Sequence, residues 1–223
     1  MKKIVLAFMF VTSLCLAQEK ITKNLGDFHT LKTYRGLQVE LIKAEAPKII
    51  IEGNRSSEVT VKNVNGILKI SMNLTHTFSA DDVMVYLHYS NDISVIDANE
   101  GSHIFSDNQF KQEKITVKAQ EAGRIVLDID TDQLDVDVVT GGEVKLKGIS
   151  KNQNVKSNTG GIYKGNKLDT EYTNVTSNTG GLADVKASKL VDAKANTGGI
   201  ISITGDPEEV KKKESLGGYV RQL

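Results

Sequence analysis

Ser157-Asn158-Thr159-Gly160-Gly161 is the stretch that decides the fold of this chain, because the same pentad returns twice in nearly the same form. It reappears as Ser177-Asn178-Thr179-Gly180-Gly181 and as Ala195-Asn196-Thr197-Gly198-Gly199. An earlier Thr-Gly-Gly begins at Thr140, so successive threonines lie 19, 20 and 18 residues apart. A later pair, Gly217-Gly218, continues the series. A period this regular predicts a stack of repeated structural units.

Each pentad has the composition of a sharp corner in the backbone. Gly-Gly suits a place where φ is positive or where one backbone passes close to another. Asparagine tolerates the left-handed region, and stacked asparagines can hydrogen-bond to each other as a ladder. We therefore interpret Asn158, Asn178 and Asn196 as structural corner residues. Binding of a repeating ligand by these three side chains is the alternative.

The residues on either side of each corner alternate between apolar or small and polar. Val155 and Val175 precede their corners, and Ile201 and Ile203 follow theirs, with polar residues between them. Alternation with period 2 predicts strands that have one buried face. The prediction is an all-β fold, a parallel β-helix or β-solenoid with coils of about 19 residues. A leucine-rich repeat has an overlapping period, but no Leu-x-x-Leu-x-Leu pattern is present.

The sequence predicts a single continuous domain with a less regular beginning. Residues 18–80 form an irregular N-terminal β region that includes a hairpin at Asn65-Gly66 and caps the solenoid, whereas residues 81–223 contain the repeats. We expect a bulge or an aromatic filler near Tyr163, where Gly165 interrupts the pattern. The segment from Pro207 to Lys213, with acids first and bases last, predicts a short helical turn.

The N-terminus has the pattern of an export signal. Two lysines precede an apolar run from Ile4 to Leu16, which is too short to span a bilayer. We expect cleavage after Ala17, so residues 1–17 are a signal peptide and the protein is periplasmic, outer-membrane-associated or secreted. Lipidation of Cys15 is the alternative, although Leu14 is larger than the residue that usually precedes a lipidated cysteine.

Charge and composition exclude several partners. Cleavage removes two of the 28 basic residues and none of the 28 acidic residues, which leaves a formal charge of −2. A nucleic-acid partner needs a basic surface and is therefore not expected. The mature chain has no cysteine and no predicted transmembrane segment. A cell-surface glycan or protein, or a second copy through the solenoid ends, remains as a possible partner.

One polar cluster has the composition of a reactive or metal-binding site. It contains five aspartates within ten residues: Asp128, Asp130, Asp132, Asp135 and Asp137. Such carboxylates could bind Ca²⁺, or could act as an acid and base pair in a polysaccharide-cleaving solenoid. Their alternation with aliphatic residues favours a third interpretation, in which they lie on the outer, solvated face. The histidines (His29, His76, His88 and His103) lack metal-ligand spacing, and we predict no catalytic residue and no cofactor.

Several segments resemble the bacterial DUF2807 family, which is described as a putative auto-transporter adhesin head (GIN) domain and is common in Bacteroidetes-type bacteria. The segments Phe28–Leu31 and Leu37–Leu41 are similar to the opening strands of the family, and Asn65–Ile70 is similar to its central hairpin. Gly205–Pro207, followed by Leu216–Gly218, is similar to its closing segment. The corners differ, since the family usually has Gly-Ser-Gly. The resemblance implies an extracytoplasmic, β-solenoid-like domain without catalytic residues.

The function expected from these observations is non-enzymatic binding or adhesion at the cell envelope, because repeat proteins bind through extended surfaces. Two alternatives remain. One is a carbohydrate-active solenoid, a lyase or hydrolase, with the aspartate cluster as its site. The other is a structural envelope component that assembles through the ends of the solenoid.

Overall fold

The computed structural model describes residues 20–73 and 83–223. The predicted signal peptide, Cys15 and His76 lie outside the described residues. Within these two ranges, no helix has the length and apolar character needed to span a membrane.

The described residues form 17 strands and one 3-10 turn, Ser56–Glu58. The strands are β1 (Lys20–Asn24), β2 (Thr30–Tyr34), β3 (Gln38–Lys43), β4 (Lys48–Glu52), β5 (Val59–Val64), β6 (Ile67–Met72), β7 (Met84–Tyr89), β8 (Val95–Ala98), β9 (His103–Ala119), β10 (Arg124–Val138), β11 (Glu143–Asn158), β12 (Ile162–Asn178), β13 (Leu182–Ala187), β14 (Leu190–Asn196), β15 (Ile200–Gly205), β16 (Glu209–Ser215) and β17 (Tyr219–Gln222).

The strands wind into an all-β solenoid of about seven turns with coils of about 19 residues, which confirms the predicted fold class. Two faces run along it. Face 1 contains β1, β4, β7, β3, the first halves of β9 to β12, then β13, β15 and β17. Face 2 contains β5, β6, β2, β8, the second halves of β9 to β12, then β14 and β16. A tight corner leads from face 2 to face 1, and a wider bend leads back.

The tight corners stack in a single column of eight type I′ turns. In each turn both central residues have positive φ, for example 49° at Thr159 and 70° at Gly160. The amide of Gly160 donates to the carbonyl of Thr179 in the next coil at 3.1 Å, and the other corners repeat this bond. The corners from Arg35 to Leu216 are thus joined by main-chain hydrogen bonds.

Threonine, rather than asparagine, takes the left-handed conformation at the repeated corners. Asn158 ends strand β11, and its carbonyl accepts the hydrogen bond that closes the turn from the Gly161 amide at 2.9 Å. Its side chain is therefore free to join a ladder. Asn178 Nδ2 donates to Asn158 Oδ1, and Asn196 Nδ2 donates to Asn178 Oδ1, both at 2.8 Å.

The second glycine of the repeated corners is required by close packing between coils. A Cβ built on Gly161 would lie 2.3 Å from the carbonyl oxygen of Val138, and one on Gly181 would lie 2.3 Å from that of Ser157. Glycine occupies this position in the six corners from Gly123 to Gly218, whereas Leu37 and Ser102 stand there in the first two.

The interior is filled mainly by aliphatic side chains, and the irregularity predicted near Tyr163 is present. Tyr163 is fully buried and donates a hydrogen bond from its hydroxyl to Gln153 Oε1 at 2.9 Å. The ring occupies the space beside Gly165, where a Cβ would lie 2.5 Å from ring atoms. The strand pairing shifts register between Lys145 and Lys147, opposite this point. The predicted bulge and aromatic filler therefore occur together.

The N-terminal region is irregular, as predicted, but it contains a complete corner of the solenoid. Strands β2 and β3 meet at Arg35-Gly36 and lie inside the two faces, each between later strands of the chain. The predicted hairpin at Asn65-Gly66 joins β5 and β6 with φ of 50° and 75°. Antiparallel strands β1 and β5 form the outer edges at this end.

The predicted helical turn from Pro207 to Lys213 is wrong. Residues Glu209–Ser215 form strand β16, which pairs in parallel with β14. This pairing satisfies the backbone groups of β14 along its length, and such bonds outweigh the small helix-dipole preference. Lys212 and Glu214 stand in register with the inward-facing Ala193 and Ala195. Charges at inward positions of an edge strand oppose the stacking of a further strand.

Candidate functional site

The five aspartates of the predicted cluster do not converge. Asp128 and Asp130 lie on face 1, Asp132 lies at the wider bend, and Asp135 and Asp137 lie on face 2. The chain turns between Thr131 and Gln133, so the two pairs point from different faces of the solenoid. Within the described ranges, no group of three or more His, Cys, Asp or Glu side chains is arranged to hold a metal ion.

Lysine and amide side chains from the neighbouring coils pair with three of these carboxylates. Lys147 lies 3.3 Å from Asp128, Lys111 lies 3.1 Å from Asp130, and Lys114 lies 3.2 Å from Asp135. Gln109 and Asn154 donate further hydrogen bonds, and Asp137 lies in register between Lys118 and Lys156. This arrangement is that of a solvated outer surface, in which exposed ion pairs contribute little to stability.

An open depression of about 370 Å³ lies along the wider bends, and it is a candidate location for a carbohydrate-active site because carboxylates line it. However, Asp169 is 2.7 Å from Lys186 and Glu171 is 2.6 Å from Lys189. The hydrogen bond from Lys189 lowers the pKa of Glu171. A general acid in glycoside hydrolysis needs a raised pKa, so this pairing works against catalysis there.

A row of outward side chains on face 1 has a different character. Strand register places Ile50, Tyr86, Glu40, Phe105 and Val126 side by side on β4, β7, β3, β9 and β10. All five are half-buried, and their neighbours along each strand are buried in the core, except Ser106, which follows Phe105 where the pairing of β9 with β10 shifts register. We call these five residues the aromatic row. Strands are about 4.8 Å apart, so the row runs about 19 Å across the strands.

The row places a carboxylate between two aromatic rings. Tyr86 and Phe105 are the register partners of Glu40 on its two sides, so their backbone positions lie about 10 Å apart. The Glu40 carboxylate has no ion pair or hydrogen bond within the described part of the chain. His103 packs beside Phe105 with ring centroids 5.1 Å apart.

The parallel rows on either side are more polar. On one side lie Glu52, Met84, Gln38, His103 and Arg124, and on the other lie Lys48, His88 and Ile42. Burial lowers the pKa of both His88 and His103, with nearby Lys48 and Arg124 acting in the same direction. Both imidazoles are therefore uncharged at neutral pH. The Glu52 carboxylate pairs with Lys20 at 2.9 Å.

The aromatic row is not apparent from the sequence. Alternation marks Glu40, Tyr86 and Phe105 as outward residues of three separate strands, but β7 and β9 reach β3 from opposite sides. Adjacent placement of residues 40, 86 and 105 depends on this stacking order. A hint is nevertheless present in the sequence. Tyr86 and Phe105 are aromatic residues at outward positions of two strands in which apolar residues alternate.

Comparisons with known proteins agree on the family and the fold. The family described as DUF2807, putative auto-transporter adhesin, head GIN domain, matches residues 27–207. No curated protein matches the chain.

Several solved structures share the fold at low sequence identity. A putative adhesin from Bacteroides fragilis is 14% identical, with a TM-score of 0.83 over 92% of this chain and 97% of that chain. A putative adhesin from Parabacteroides merdae is 15% identical, with a TM-score of 0.71 over 92% and 96%. A protein from Parabacteroides distasonis, described as a putative lipid binding protein, is 15% identical, with a TM-score of 0.68 over 92% and 96%. Identity this low shows the shared fold alone.

Proposed function

Because the chain belongs to the DUF2807 family of putative auto-transporter adhesin head domains, we propose that it is a non-enzymatic binding domain and that the aromatic row contacts its partner. The family assignment suggests an extracytoplasmic location, which agrees with the export signal predicted for residues 1–17. The observation that carries the proposal is the row itself: two aromatic rings and two aliphatic side chains aligned across five strands on an outer face.

The electrostatics of the aspartates support binding rather than catalysis. Asp128, Asp130 and Asp135 are paired with lysines from adjacent coils, and the cluster is divided between two faces. A glycoside hydrolase typically needs two carboxylates that flank one sugar bond. The carbohydrate-active alternative therefore has less support than the binding function.

The assembly alternative is opposed by the last described coil. Stacking another coil on β16 would bury Lys212 and Glu214, which occupy inward positions. Glu214 already accepts a hydrogen bond from the Val220 amide at 2.6 Å. Burying a charge without a new partner is costly. We expect light scattering over a wide concentration range to show a monomer, and concentration-dependent growth would favour assembly instead.

Adhesion of protein-coated beads tests the proposed function directly. Beads that carry the purified chain are washed under flow over surfaces coated with mucin, with collagen or with albumin. We expect retention on mucin or collagen but not on albumin, and retention should fall for Phe105→Thr. Threonine keeps a high strand propensity, so this variant removes the ring with little effect on the strand.

Tyr172→Thr is the matched control, because Tyr172 is an exposed tyrosine near the wider bends and outside the row. It should leave retention unchanged. A parallel assay for reducing sugars released from a panel of polysaccharides addresses the enzymatic alternative. Sugar release by the wild-type chain, or equal retention on all three surfaces, would refute the proposed function.

A further inference from the structure

The chemistry of the aromatic row specifies a class of ligand. Resting on the proposed function, we propose that the row binds an uncharged glycan chain that lies across the strands, with sugar rings on Tyr86 and Phe105 and hydroxyl groups on Glu40.

The spacing of the two rings suits a chain of sugars. Tyr86 and Phe105 stand two strands apart, about 10 Å, which is close to the length of a disaccharide. Aromatic faces attract the C–H groups of a pyranose ring through dispersion and the ring quadrupole. Ile50 and Val126 extend the row by one strand at each end. A linear chain of several sugars is therefore the shape that matches the row.

Glu40 distinguishes a glycan from an apolar ligand. Its carboxylate lies in the middle of the row and is unpaired within residues 20–73 and 83–223. A lipid tail or the apolar face of a helix would cover this carboxylate without a hydrogen bond, which is costly. Sugar hydroxyls would instead donate to it, and Gln38 on the adjacent row supplies an amide. A polyhydroxylated ligand is therefore the kind that can hydrogen-bond to Glu40 and Gln38 while it packs on the neighbouring aromatic rings.

The charge of the surroundings specifies a neutral glycan rather than an acidic one. Glu40 itself would repel a sulfate or carboxylate placed over it. Of the nearby basic groups, Arg124 lies 3.4 Å from the Glu143 carboxylate, which also accepts from Lys164 at 2.8 Å. Of the other basic groups, Lys48 lies in the adjacent row on β4 and Lys145 lies beyond Val126 on β11, so the described residues place no cluster of basic groups beside Glu40 to balance an anionic chain.

A glycan array tests the ligand class. The purified chain is applied to an array that holds uncharged oligosaccharides (chitin, β-glucan, mannan and xylan fragments) and anionic ones (heparan sulfate, sialylated and polygalacturonate fragments). We expect binding to one or more uncharged series that strengthens from two sugars to about four, the length that the row covers. Binding to anionic members alone, or to no member at millimolar concentration, would overturn the proposal.

Variants then locate the site on the best uncharged oligosaccharide. Tyr86→Thr and Phe105→Thr should each weaken binding about tenfold, the loss expected for one stacked ring. The matched control, Tyr172→Thr, should bind like the wild type. Equal losses in all three variants, or none in the row variants, would contradict the placement. Thermal unfolding of each variant confirms that the fold is retained.

Glu40→Leu separates a sugar from an apolar ligand. It makes the row continuously apolar, so glycan binding should fall at least about tenfold while the fold is retained. Unchanged or tighter glycan binding by this variant would contradict the role assigned to Glu40. The bead assay keeps the two proposals apart: retention on collagen without any glycan binding would refute the glycan and leave the binding function standing.

Discussion

Replacing Gly161 by alanine should destabilise the solenoid far more than replacing its neighbour Gly160. The two glycines are adjacent in one corner, are equally small and lose the same flexibility on substitution. They differ in what a new Cβ would meet. At Gly160 nothing lies within 4 Å, whereas at Gly161 the carbonyl oxygen of Val138 lies at 2.3 Å. They also differ in backbone conformation, since Gly160 has a positive φ and Gly161 does not, so the comparison sets the cost of packing between coils against the cost of a left-handed alanine.

The expected cost at Gly160 comes from its φ of +70°. An L-residue in the left-handed region costs about 1–2 kcal/mol, and the stiffer unfolded chain returns about 0.4–1 kcal/mol. The net loss should be about 1 kcal/mol or less. The chain contains its own precedent, since Ala122 occupies the equivalent corner position with φ of 62°.

The expected cost at Gly161 comes from a collision with main chain. Carbon and oxygen need about 3.3 Å, so the coil would have to move by about 1 Å relative to Val138. Such a shift stretches the hydrogen bond from the Ile162 amide to the Gly142 carbonyl, now 2.9 Å, and the turn bond of Gly161 itself. Two hydrogen bonds at about 1 kcal/mol each and an overpacking cost of about 1–3 kcal/mol add to roughly 3–5 kcal/mol.

Urea unfolding followed by circular dichroism, with a second probe to check cooperativity, measures both changes. In a chain of this size 1 kcal/mol corresponds to about 2–4 °C, so thermal midpoints should fall by a few degrees for Gly160→Ala and by about 10 °C for Gly161→Ala. Equal destabilisation by the two variants would refute the argument from coil contact. A larger effect at Gly160 would place the cost in the left-handed conformation instead.

Three further changes probe other features of the solenoid. Asn178→Ala removes two ladder hydrogen bonds of 2.8 Å and should lower the free energy of unfolding in urea by about 1–2 kcal/mol. As a control, Asn174→Ala at an exposed position should change it by less than about 0.5 kcal/mol. Similar losses in the two variants would show that the ladder does not stabilise the solenoid. Gly165→Ala should expel the buried ring of Tyr163. The double variant Gly165→Ala/Tyr163→Leu should therefore lose less free energy of unfolding than the two single variants together, by about 1 kcal/mol or more. Strict additivity would contradict the contact. Acidification should also destabilise the chain: because burial and a nearby arginine hold the pKa of His103 below 6.5, the unfolded state binds a proton first as the pH falls below 6.5. Unfolding of His103→Gln at pH 7.5 and 5.5 should show a smaller loss than the wild type, and an identical loss would exclude this histidine.

Much of the fold follows from local patterns in the sequence. The Thr-Gly-Gly period and the alternation of Val155 and Val175 with polar residues predicted parallel coils, which the strand pairing confirms. Asn65-Gly66 predicted its hairpin, and Gly165 predicted room for the ring of Tyr163. Each of these features depends on residues that are close in sequence or repeat at a constant interval, so one chain is sufficient to recognise them.

Two departures from local preference have a common physical origin. The segment from Pro207 to Lys213 has charges arranged as in a short helix, but a parallel neighbour was available, and pairing of Glu209–Ser215 with β14 satisfied more backbone groups. Asn158 tolerates the left-handed region, yet Thr159 occupies it, because the asparagine is needed one position earlier for its ladder. In both cases a contact with another coil overrode the local preference.

By itself the sequence determined the all-β class, the length of a coil, the position of its corners and the face of each strand that is buried, because these depend on the side-chain period and on the conformational freedom of glycine. Only the tertiary structure decided which outward residues become neighbours. Tyr86, Glu40 and Phe105 are far apart in the chain and meet because β7 and β9 pair with opposite edges of β3. The structure also showed that the chain bends at Asp132, which divides the aspartates between two faces. Strand order is set by the burial of whole coils against one another, and no local pattern of residues encodes it.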